Sequence, residues 1–276
     1  MDARKTRGTG KSITLMLFSG DSFNKQCWQF VPPTSLIEMW KIPIAYFHRF
    51  SSCCEIPEGI AFTGGEGSHN CVMLRMKNQT WKKMTCMLLK RYAHGSVFVK
   101  GHLFVFGGYV KGKKSKSVQC LNLQSGKWHQ GPDLPIAVQY PEVVACHGDV
   151  YLLYPSKNLL FHLNTTSMSW SKKSPLPGDK GNGARMICID DRLCVAGGDY
   201  KVHAWFTPST DTWTMAAKPL FKHWYGAVLY QNKTIFLIGG HDLTQVESYS
   251  METGVWSMCH WKMPKAIFDL KGLMLE

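Results

Sequence analysis

Acidic residues are scarce in this sequence of 276 residues, which contains 19 Asp and Glu against 32 Lys and Arg. The formal net charge is therefore +13. A field of that sign favours acidic partners, whether protein segments, anionic lipid or nucleic acid, and does not choose among them. A solvated basic surface without a partner explains the same composition equally well.

Patterns for metal binding and for crossing a membrane are missing too. No C-x-x-C occurs and no His/Cys group has zinc-finger spacing, so we predict no metal and no cofactor. Most of the ten cysteines fall inside apolar runs, which predicts reduced core thiols rather than a disulfide framework. The apolar run from Ile13 to Phe18 is too short for a signal peptide or a membrane span. We therefore expect a cytoplasmic protein with no membrane partner.

The sequence also has no convincing catalytic signature. Gly8-Thr9-Gly10-Lys11-Ser12 ends like a phosphate-binding loop, but Lys5 occupies the first glycine position and a strand pattern follows. No G-x-S-x-G pattern for a nucleophile occurs. We therefore predict that the chain is not an enzyme and that residues 1–12 are a flexible basic lead-in.

What the chain does contain is an internal repeat of about 43 residues. Six tryptophans mark it at separations of 41, 47, 42, 43 and 43 residues, namely Trp40, Trp81, Trp128, Trp170, Trp213 and Trp256. A diglycine or its remnant precedes each one, namely Ser19-Gly20, Gly64-Gly65, Gly107-Gly108, Tyr154-Pro155, Gly197-Gly198 and Gly239-Gly240. Short apolar runs at this period favour four-stranded propeller blades over helical repeats.

Each repeat predicts four strands, A to D, as residues 95–130 illustrate. Gly95 to Val99 forms strand A, Lys100-Gly101 a turn, His102 to Phe106 strand B, Ser117 to Asn122 strand C, and Trp128 lies in strand D. The diglycine permits positive φ and close approach between blades. The tryptophan fills the wedge between neighbouring blades.

The two ends of the sequence complement each other. Ile13 to Phe18 is a strand B with no strand A before it, and Gly272 to Glu276 is a strand A with no strand B after it. We expect these strands to pair, because pairing removes the exposed edges of an open array. Residues 13–276 are thus predicted to form one all-β domain, a six-bladed β-propeller closed by its C-terminal strand against the N-terminal blade.

This pattern resembles the kelch repeat. The likeness is best in residues 103–108 with Trp128 and in residues 235–240 with Trp256, where an apolar strand ends in diglycine ahead of the tryptophan. Lys90-Arg91-Tyr92-Ala93-His94-Gly95 is similar to the kelch segment before strand A. The overall order looks like the propeller of BTB-BACK-kelch (kelch-like) proteins. Tyr154-Pro155 departs from the pattern, so we expect a local distortion in the repeat that contains it.

In the kelch-like family, the BTB and BACK parts dimerise and bind cullin-3, and the propeller selects the substrate for ubiquitination. The resemblance implies a protein-protein interaction module, the substrate-recognition propeller of a cullin-3 ubiquitin ligase adaptor. No segment of this sequence reads as a BTB or BACK domain, so cullin-3 would be a partner only of a longer product. The alternative is a cytoskeleton-associated structural protein, actin-binding or similar to the basic family member calicin, without a ligase role.

By the same resemblance, the partner-binding residues follow the diglycines or precede strand A, in loops that emerge on one face. Arginine and aromatic side chains of this kind are typical of interface hot spots. The candidates are Arg49, Arg91, Tyr92, Tyr109, Tyr140, Arg185, His223, Trp224, Tyr225 and His241. Asp21, His48, Glu66 and Asp199 hold equivalent loop positions. The alternative that half of the aromatics pack against neighbouring loops stays open.

Lys111, Lys113, Lys114 and Lys116 form the densest charge run of the sequence. A solvated loop is the default interpretation. A functional run would extend a positive rim toward an acidic peptide segment. Nucleic acid is a less favoured partner, because no basic stripe interleaved with exposed aromatics follows one element.

Overall fold

The structure is a computed structural model that describes the backbone of residues 14–19, 26–31, 35–41 and 48–275, and side chains from residue 48 to residue 273. The lead-in of residues 1–12, Gly20 and Asp21 lie outside the described residues. So does the side chain of Trp40. Every element of the described residues is a β-strand, apart from one short 3-10 helix.

Five four-stranded antiparallel sheets are each built from consecutive strands along the chain, and each blade is named here after its repeat tryptophan. The N-terminal strands are β1 (Thr14–Ser19), β2 (Gln26–Val31) and β3 (Ser35–Lys41). The Trp81 blade contains β4 (Ser52–Ile56), β5 (Gly59–Thr63), β6 (Cys71–Arg75) and β7 (Thr80–Met84). The Trp128 blade begins with β8 (Gly95–Val99) and β9 (His102–Phe106), continues through a small hairpin of β10 (Tyr109–Val110) and β11 (Lys113–Lys114), and ends with β12 (Val118–Asn122) and β13 (Lys127–Gln130).

The other three blades follow in order along the chain. The Trp170 blade contains β14 (Glu142–Cys146), β15 (Asp149–Tyr154), β16 (Leu159–Asn164) and β17 (Ser169–Lys172). The Trp213 blade contains β18 (Ala184–Ile189), β19 (Arg192–Gly197), β20 (Val202–Thr207) and β21 (Thr212–Met215). The Trp256 blade contains β22 (Ala227–Gln231), β23 (Thr234–Gly240), β24 (Leu243–Ser250) and β25 (Val255–Lys262). The last strand is β26 (Leu270–Leu275).

A composite sheet joins the two ends of the described chain, in the order β26-β1-β2-β3. β26 and β1 pair antiparallel, from Thr14 opposite Leu275 to Ser19 opposite Leu270. The predicted pairing of the two ends is therefore confirmed, and so is the all-β propeller. The predicted count of six blades is not confirmed: the structure shows five blades of strands in chain order together with this composite sheet, for which only the backbone of β1, β2 and β3 is described.

The first strands of the blades surround a common axis. β4 contacts β8, and the contacts continue through β14, β18 and β22. β26 contacts both β22 and β4. The hydrophobic core lies between successive blades, where Phe104 and Phe106 of one blade pack with Leu152 and Phe161 of the next. The second strand of each of these five blades is almost entirely buried on both faces, which explains its nearly continuous apolar sequence.

The repeat tryptophans connect each blade to the one before it. In four blades the indole Nε1 donates to a backbone carbonyl just after the preceding blade: Trp128 to Thr85 at 2.8 Å, Trp170 to Pro132 at 3.0 Å, Trp213 to Ser174 at 2.8 Å, and Trp256 to Ala217 at 2.8 Å. Each ring therefore fills space between blades and satisfies its polar group there, in agreement with the predicted wedge role.

The diglycines permit close approach to neighbouring loops. Gly108 has φ +78°, and a Cβ on it would meet the carbonyl oxygen of Tyr92 and lie 2.8 Å from the Cβ of His94. Its N–H donates to the carbonyl of Val138, in the loop that leads to the next blade, at 2.9 Å. The second glycine of the pair thus connects blades through its backbone, which a larger residue would obstruct.

Three local features differ from or refine the predictions. The Trp170 repeat is distorted as expected, since a 3-10 helix (Pro155–Lys157) begins where the diglycine would stand. The lysine-rich segment, predicted as a loop, contains the β10–β11 hairpin, because Lys111 and Gly112 both adopt positive φ at its turn. Strand C of the Trp128 repeat begins at Val118, one residue later than predicted.

The prediction of reduced thiols is wrong for one pair of cysteines. Cys146 and Cys188 form a disulfide between the Trp170 and Trp213 blades, with their Cα atoms 5.9 Å apart. They are 42 residues apart in the sequence, about one repeat. They meet because successive blades pack side by side. The other seven cysteines with described side chains are free, and burial raises the pKa of the Cys71 thiol to about 12.

Candidate partner-binding face

The two predicted sets of loops lie together on one side of the propeller. In four repeats, the N–H after the diglycine donates to a carbonyl in the loop before strand A: Glu66 to Arg49 at 2.8 Å, Tyr109 to Tyr92 at 2.8 Å, Asp199 to Asn182 at 3.1 Å, and His241 to Trp224 at 2.8 Å. We call this side the loop face. Backbone bonds therefore fix the position of the loops that carry the candidate residues.

Aromatic side chains form a continuous network on the loop face, which we call the aromatic cluster. Its members are Phe50, Tyr92, Tyr109, Tyr140, Trp224, Tyr225, His241 and Phe268. Tyr92 and Tyr109 stack with ring centroids 5.0 Å apart, and Tyr225 lies 4.8 Å from Phe268. Phe50 contacts both Tyr92 and Phe268 and so joins the two halves of the cluster.

Phe50 and Phe268 were not among the predicted site residues. The signal for them was present, because Phe50, Tyr140, Tyr225 and Phe268 each lie two residues before the start of an inner strand. Aligning the inner strands would have placed the four rings at equivalent positions around the axis. Phe268 was missed because the last repeat has no strand B, C or D after it to establish the alignment.

A buried group of charged residues lies beneath the aromatic cluster. Arg185 donates to Glu142 at 2.7 Å and to Asp269 at 3.0 Å, and Lys271 contacts Asp269 at 2.9 Å. The Arg185 guanidinium also donates to the carbonyls of Gly226 at 2.6 Å and Leu270 at 2.9 Å. Arg185 thereby connects three blades and the composite sheet.

The ionised forms of this group stabilise one another. Burial would lower the pKa of Arg185, but Glu142 and Asp269 outweigh it, and the net direction is upward. Burial would raise the pKa of Asp269, but Lys271 and Arg185 outweigh it and hold that pKa below its ordinary value. Arg185 and Asp269 are therefore charged inside the protein and paired with each other.

Two other predicted site residues are also buried. Arg91 is 1% exposed, and its guanidinium donates to the carbonyls of Gly107 at 2.9 Å and Ser117 at 3.0 Å. Burial lowers the pKa of Arg91 to about 10. His223 is 1% exposed and lies between the carbonyl of Gly239 and the carboxylate of Glu247. With Arg185, these two side chains support the loop face from below, and in this conformation they cannot reach a partner.

The other predicted residues reach the surface to different degrees. Arg49 and His241 are exposed, and the Arg49 guanidinium lies 4.5 Å from the ring centre of Phe50. Tyr92, Tyr109, Tyr140, Trp224 and Tyr225 are half-buried in the aromatic cluster. The alternative that aromatic candidates pack against neighbouring loops therefore holds in part. These five rings pack on one another and still present an edge or face to solvent.

The axis of the propeller is almost closed at the loop face. The space beside Phe50, Tyr140, Tyr225 and Arg185 has a volume of about 10 Å³, room for about one water molecule. Burial raises the pKa of Tyr140 to about 12, so its hydroxyl stays protonated at neutral pH. A ligand therefore meets a surface of aromatic rings at the axis rather than a deep channel.

Two further observations concern metals and membranes. Within the part of the chain that the structure describes, no cluster of three or more His, Cys, Asp or Glu side chains is arranged to hold a metal ion. Among the same residues, no helix is long and apolar enough to cross a membrane.

The chain folds as a β-propeller, and its repeat is similar to the kelch repeat. The family model for the Kelch motif matches residues 90–135, which contain the whole Trp128 blade. The solved structure of YjhT superposes with a TM-score of 0.72 at 14% identity, over 88% of this chain and 94% of that one. At that identity the likeness concerns the fold alone.

Among curated proteins, the relatives are kelch-like proteins, and the predicted resemblance is confirmed. Kelch-like protein 35 of Mus musculus is 25% identical, over 85% of this chain and 41% of that protein. Kelch-like protein 38 of Homo sapiens is 24% identical, over 79% and 40%. Kelch repeat and BTB domain-containing protein 3 of Mus musculus is 24% identical, over 88% and 45%. The chain thus spans about two fifths of the length of these relatives.

Proposed function

We propose that this propeller is a protein-recognition module that binds a segment of another protein on its loop face. The aromatic cluster is the observation that carries the proposal. Aromatic residues offer large contact areas at a low cost in conformational entropy, and they dominate the energetics of many interfaces. Backbone bonds between the loops already hold the rings in place, so little ordering remains to be done on binding.

The finer form of the proposal is that the chain selects the substrate of a cullin-3 ubiquitin ligase in the cytoplasm. This role requires a longer product that includes a BTB domain, and the name of one relative includes that domain. The composite sheet would act as the sixth blade, closing the ring and keeping the loop face rigid. The competing form is a cytoskeletal protein that binds actin or another filament without a ligase.

Affinity capture from cells tests recognition by the loop face. The tagged chain is compared with Tyr109→Ala/His241→Ala, which changes the loop face, and with Lys77→Ala/Lys233→Ala, which changes two exposed turns between strands. We expect recovery of specific partners to fall about tenfold or more in the first variant only, the loss typical of hot-spot residues. Equal recovery by all three forms would refute recognition by the loop face.

The same capture with the longest product of the gene separates the two finer forms. Recovery of cullin-3 with that product supports the adaptor role. Cosedimentation with actin filaments and no recovery of cullin-3 supports the cytoskeletal role instead.

A further inference from the structure

The positive charge of the protein is concentrated in two adjacent blades. Residues 48–130, which span the Trp81 and Trp128 blades, contain 13 lysine and arginine residues against three glutamates, a net charge of +10. Residues 131–276 contain 13 basic and 13 acidic residues and are neutral overall. The field of the molecule is therefore one-sided, and an acidic partner would approach these two blades first.

A groove opens on the loop face between these same two blades. Its volume is about 480 Å³, and it lies between the segment 88–92 and the β10–β11 hairpin. The side chains that shape it are Leu88, Leu89, Lys90, Tyr92, Val110 and Lys111. Leu88 is 54% exposed, so its side chain offers apolar surface to a ligand in the groove. We call this space the basic groove.

The two walls of the basic groove are held together from inside. The buried Arg91 belongs to one wall, and its guanidinium bonds Gly107 and Ser117, which flank the hairpin of the other wall. Tyr92 and Tyr109 also pair through their backbones, at 2.8 Å from the Tyr109 N–H to the Tyr92 carbonyl. The groove therefore has a preformed shape, which lowers the entropic cost of binding.

The rim of the basic groove carries positive charge that no acid balances. Lys90 and Lys111 line the groove, and Lys113 and Lys114 lie beside it on β11. All four are exposed, and among the described residues none of them forms an ion pair. The lining contains no aspartate or glutamate. Like charges around an apolar floor repel one another, and a ligand with carboxylates would relieve that repulsion.

We infer that the basic groove binds an acidic peptide segment that places one bulky apolar side chain on the floor formed by Leu88, Leu89 and Val110. This inference rests on the proposed recognition by the loop face and names its partner class. Aliphatic side chains on the floor fit an apolar side chain better than a nucleic acid base, which stacks on exposed aromatic faces. Here the faces of Tyr92 and Tyr109 stack on each other.

Fluorescence anisotropy with defined probes tests the inference. The first probe is a labelled peptide with a central leucine between two runs of three glutamates. The second replaces that leucine with glycine, and a third is a single-stranded DNA oligonucleotide of equal charge. Each is titrated with the folded 276-residue chain at two salt concentrations. We expect the leucine peptide to bind, with about tenfold weaker binding for the glycine peptide and weaker binding at higher salt.

Matched charge reversals decide whether the groove itself binds the peptide. Lys90→Glu/Lys111→Glu changes the rim, whereas Lys82→Glu/Lys83→Glu makes the same change in net charge on the exposed outer strand β7 of the Trp81 blade. We expect the rim variant to lose about tenfold in affinity and the β7 variant to lose less than about twofold. Equal losses in both variants, no binding of the leucine peptide, or tighter binding of the DNA would overturn the inference.

The inference about the basic groove can fail without refuting the proposed function. The rim variant is included in the capture from cells. If it keeps the partners that Tyr109→Ala/His241→Ala loses, the basic groove is not their site and the inference fails, while recognition by the loop face stands. If neither variant loses partners, the proposed function itself fails.

Discussion

At the scale of single residues, three arginines that look alike in the sequence have different roles. Arg49, Arg91 and Arg185 all lie at or near the start of an inner strand, but only Arg49 is exposed. Arg91 bonds backbone carbonyls, and Arg185 bonds two carboxylates in addition to carbonyls. The sequence could predict the position of these residues in the repeat. It could not predict their burial, which depends on distant partners such as Asp269, 84 residues away from Arg185.

Buried Arg185 and exposed Arg49 give a paired prediction. Arg185→Met should lower the free energy of unfolding by about 3–5 kcal/mol, because Glu142 loses its cation and Asp269 retains only Lys271 in a buried site. Arg49→Met should change it by no more than about 0.5 kcal/mol, since Arg49 is exposed. Chemical denaturation of both variants measures the difference. Similar values for the two would contradict the buried network.

At the scale of elements, the second glycine of a diglycine and the glycine of a turn are distinguished by their surroundings. Gly108 and Gly112 have nearly the same φ, +78° and +74°. A Cβ on Gly108 would meet the loop of Tyr92 and His94, whereas a Cβ on Gly112 would have no atom within 4 Å.

Alanine at each position should separate backbone strain from lack of space. Gly112→Ala should cost about 1–2 kcal/mol, the strain of a left-handed alanine. Gly108→Ala should cost a further 1–3 kcal/mol or so, because the loop must move to accommodate the methyl group. Thermal and denaturant unfolding provide the measurement. Equal costs would mean that the close approach of the Tyr92 and His94 loop to Gly108 does not affect stability.

Strand positions were predictable to within one or two residues, and the exceptions have physical causes. Turn residues and apolar runs bound each strand, so β8 and β9 begin and end where expected. The β10–β11 hairpin was not predicted, because two-residue strands have no apolar pattern. The Cys146–Cys188 disulfide was not predicted either, because it depends on how two neighbouring blades pack against each other.

At the scale of the whole molecule, closure depends on a strand of six residues, β26. It pairs with β1 and contacts β22 and β4 on either side. Gly272 fits closely there, since a Cβ on it would lie 2.8 Å from both the Leu229 side chain and the Val228 carbonyl. The last strand is thus part of the ring as well as of its sheet.

Removal of residues 272–276 should lower the free energy of unfolding by more than about 3 kcal/mol, because several paired backbone groups of β1 would lose their partners at about 1 kcal/mol each. Removal of residue 276 alone, which lies beyond β26, is the control and should have little effect. Denaturant unfolding compares the two. Unchanged stability after the longer deletion would mean that closure through β26 is unimportant.

The antiparallel register of β1 and β26 also determines how the ring responds to mechanical load. Thr14 lies opposite Leu275, so the start of β1 and the end of β26 lie at the same end of this strand pair. Tension between those points would peel the hydrogen-bonded pairs one after another instead of loading all of them in shear. The propeller should therefore unzip at low force when it is pulled by the two ends of its described chain, although it resists separation of its blades elsewhere.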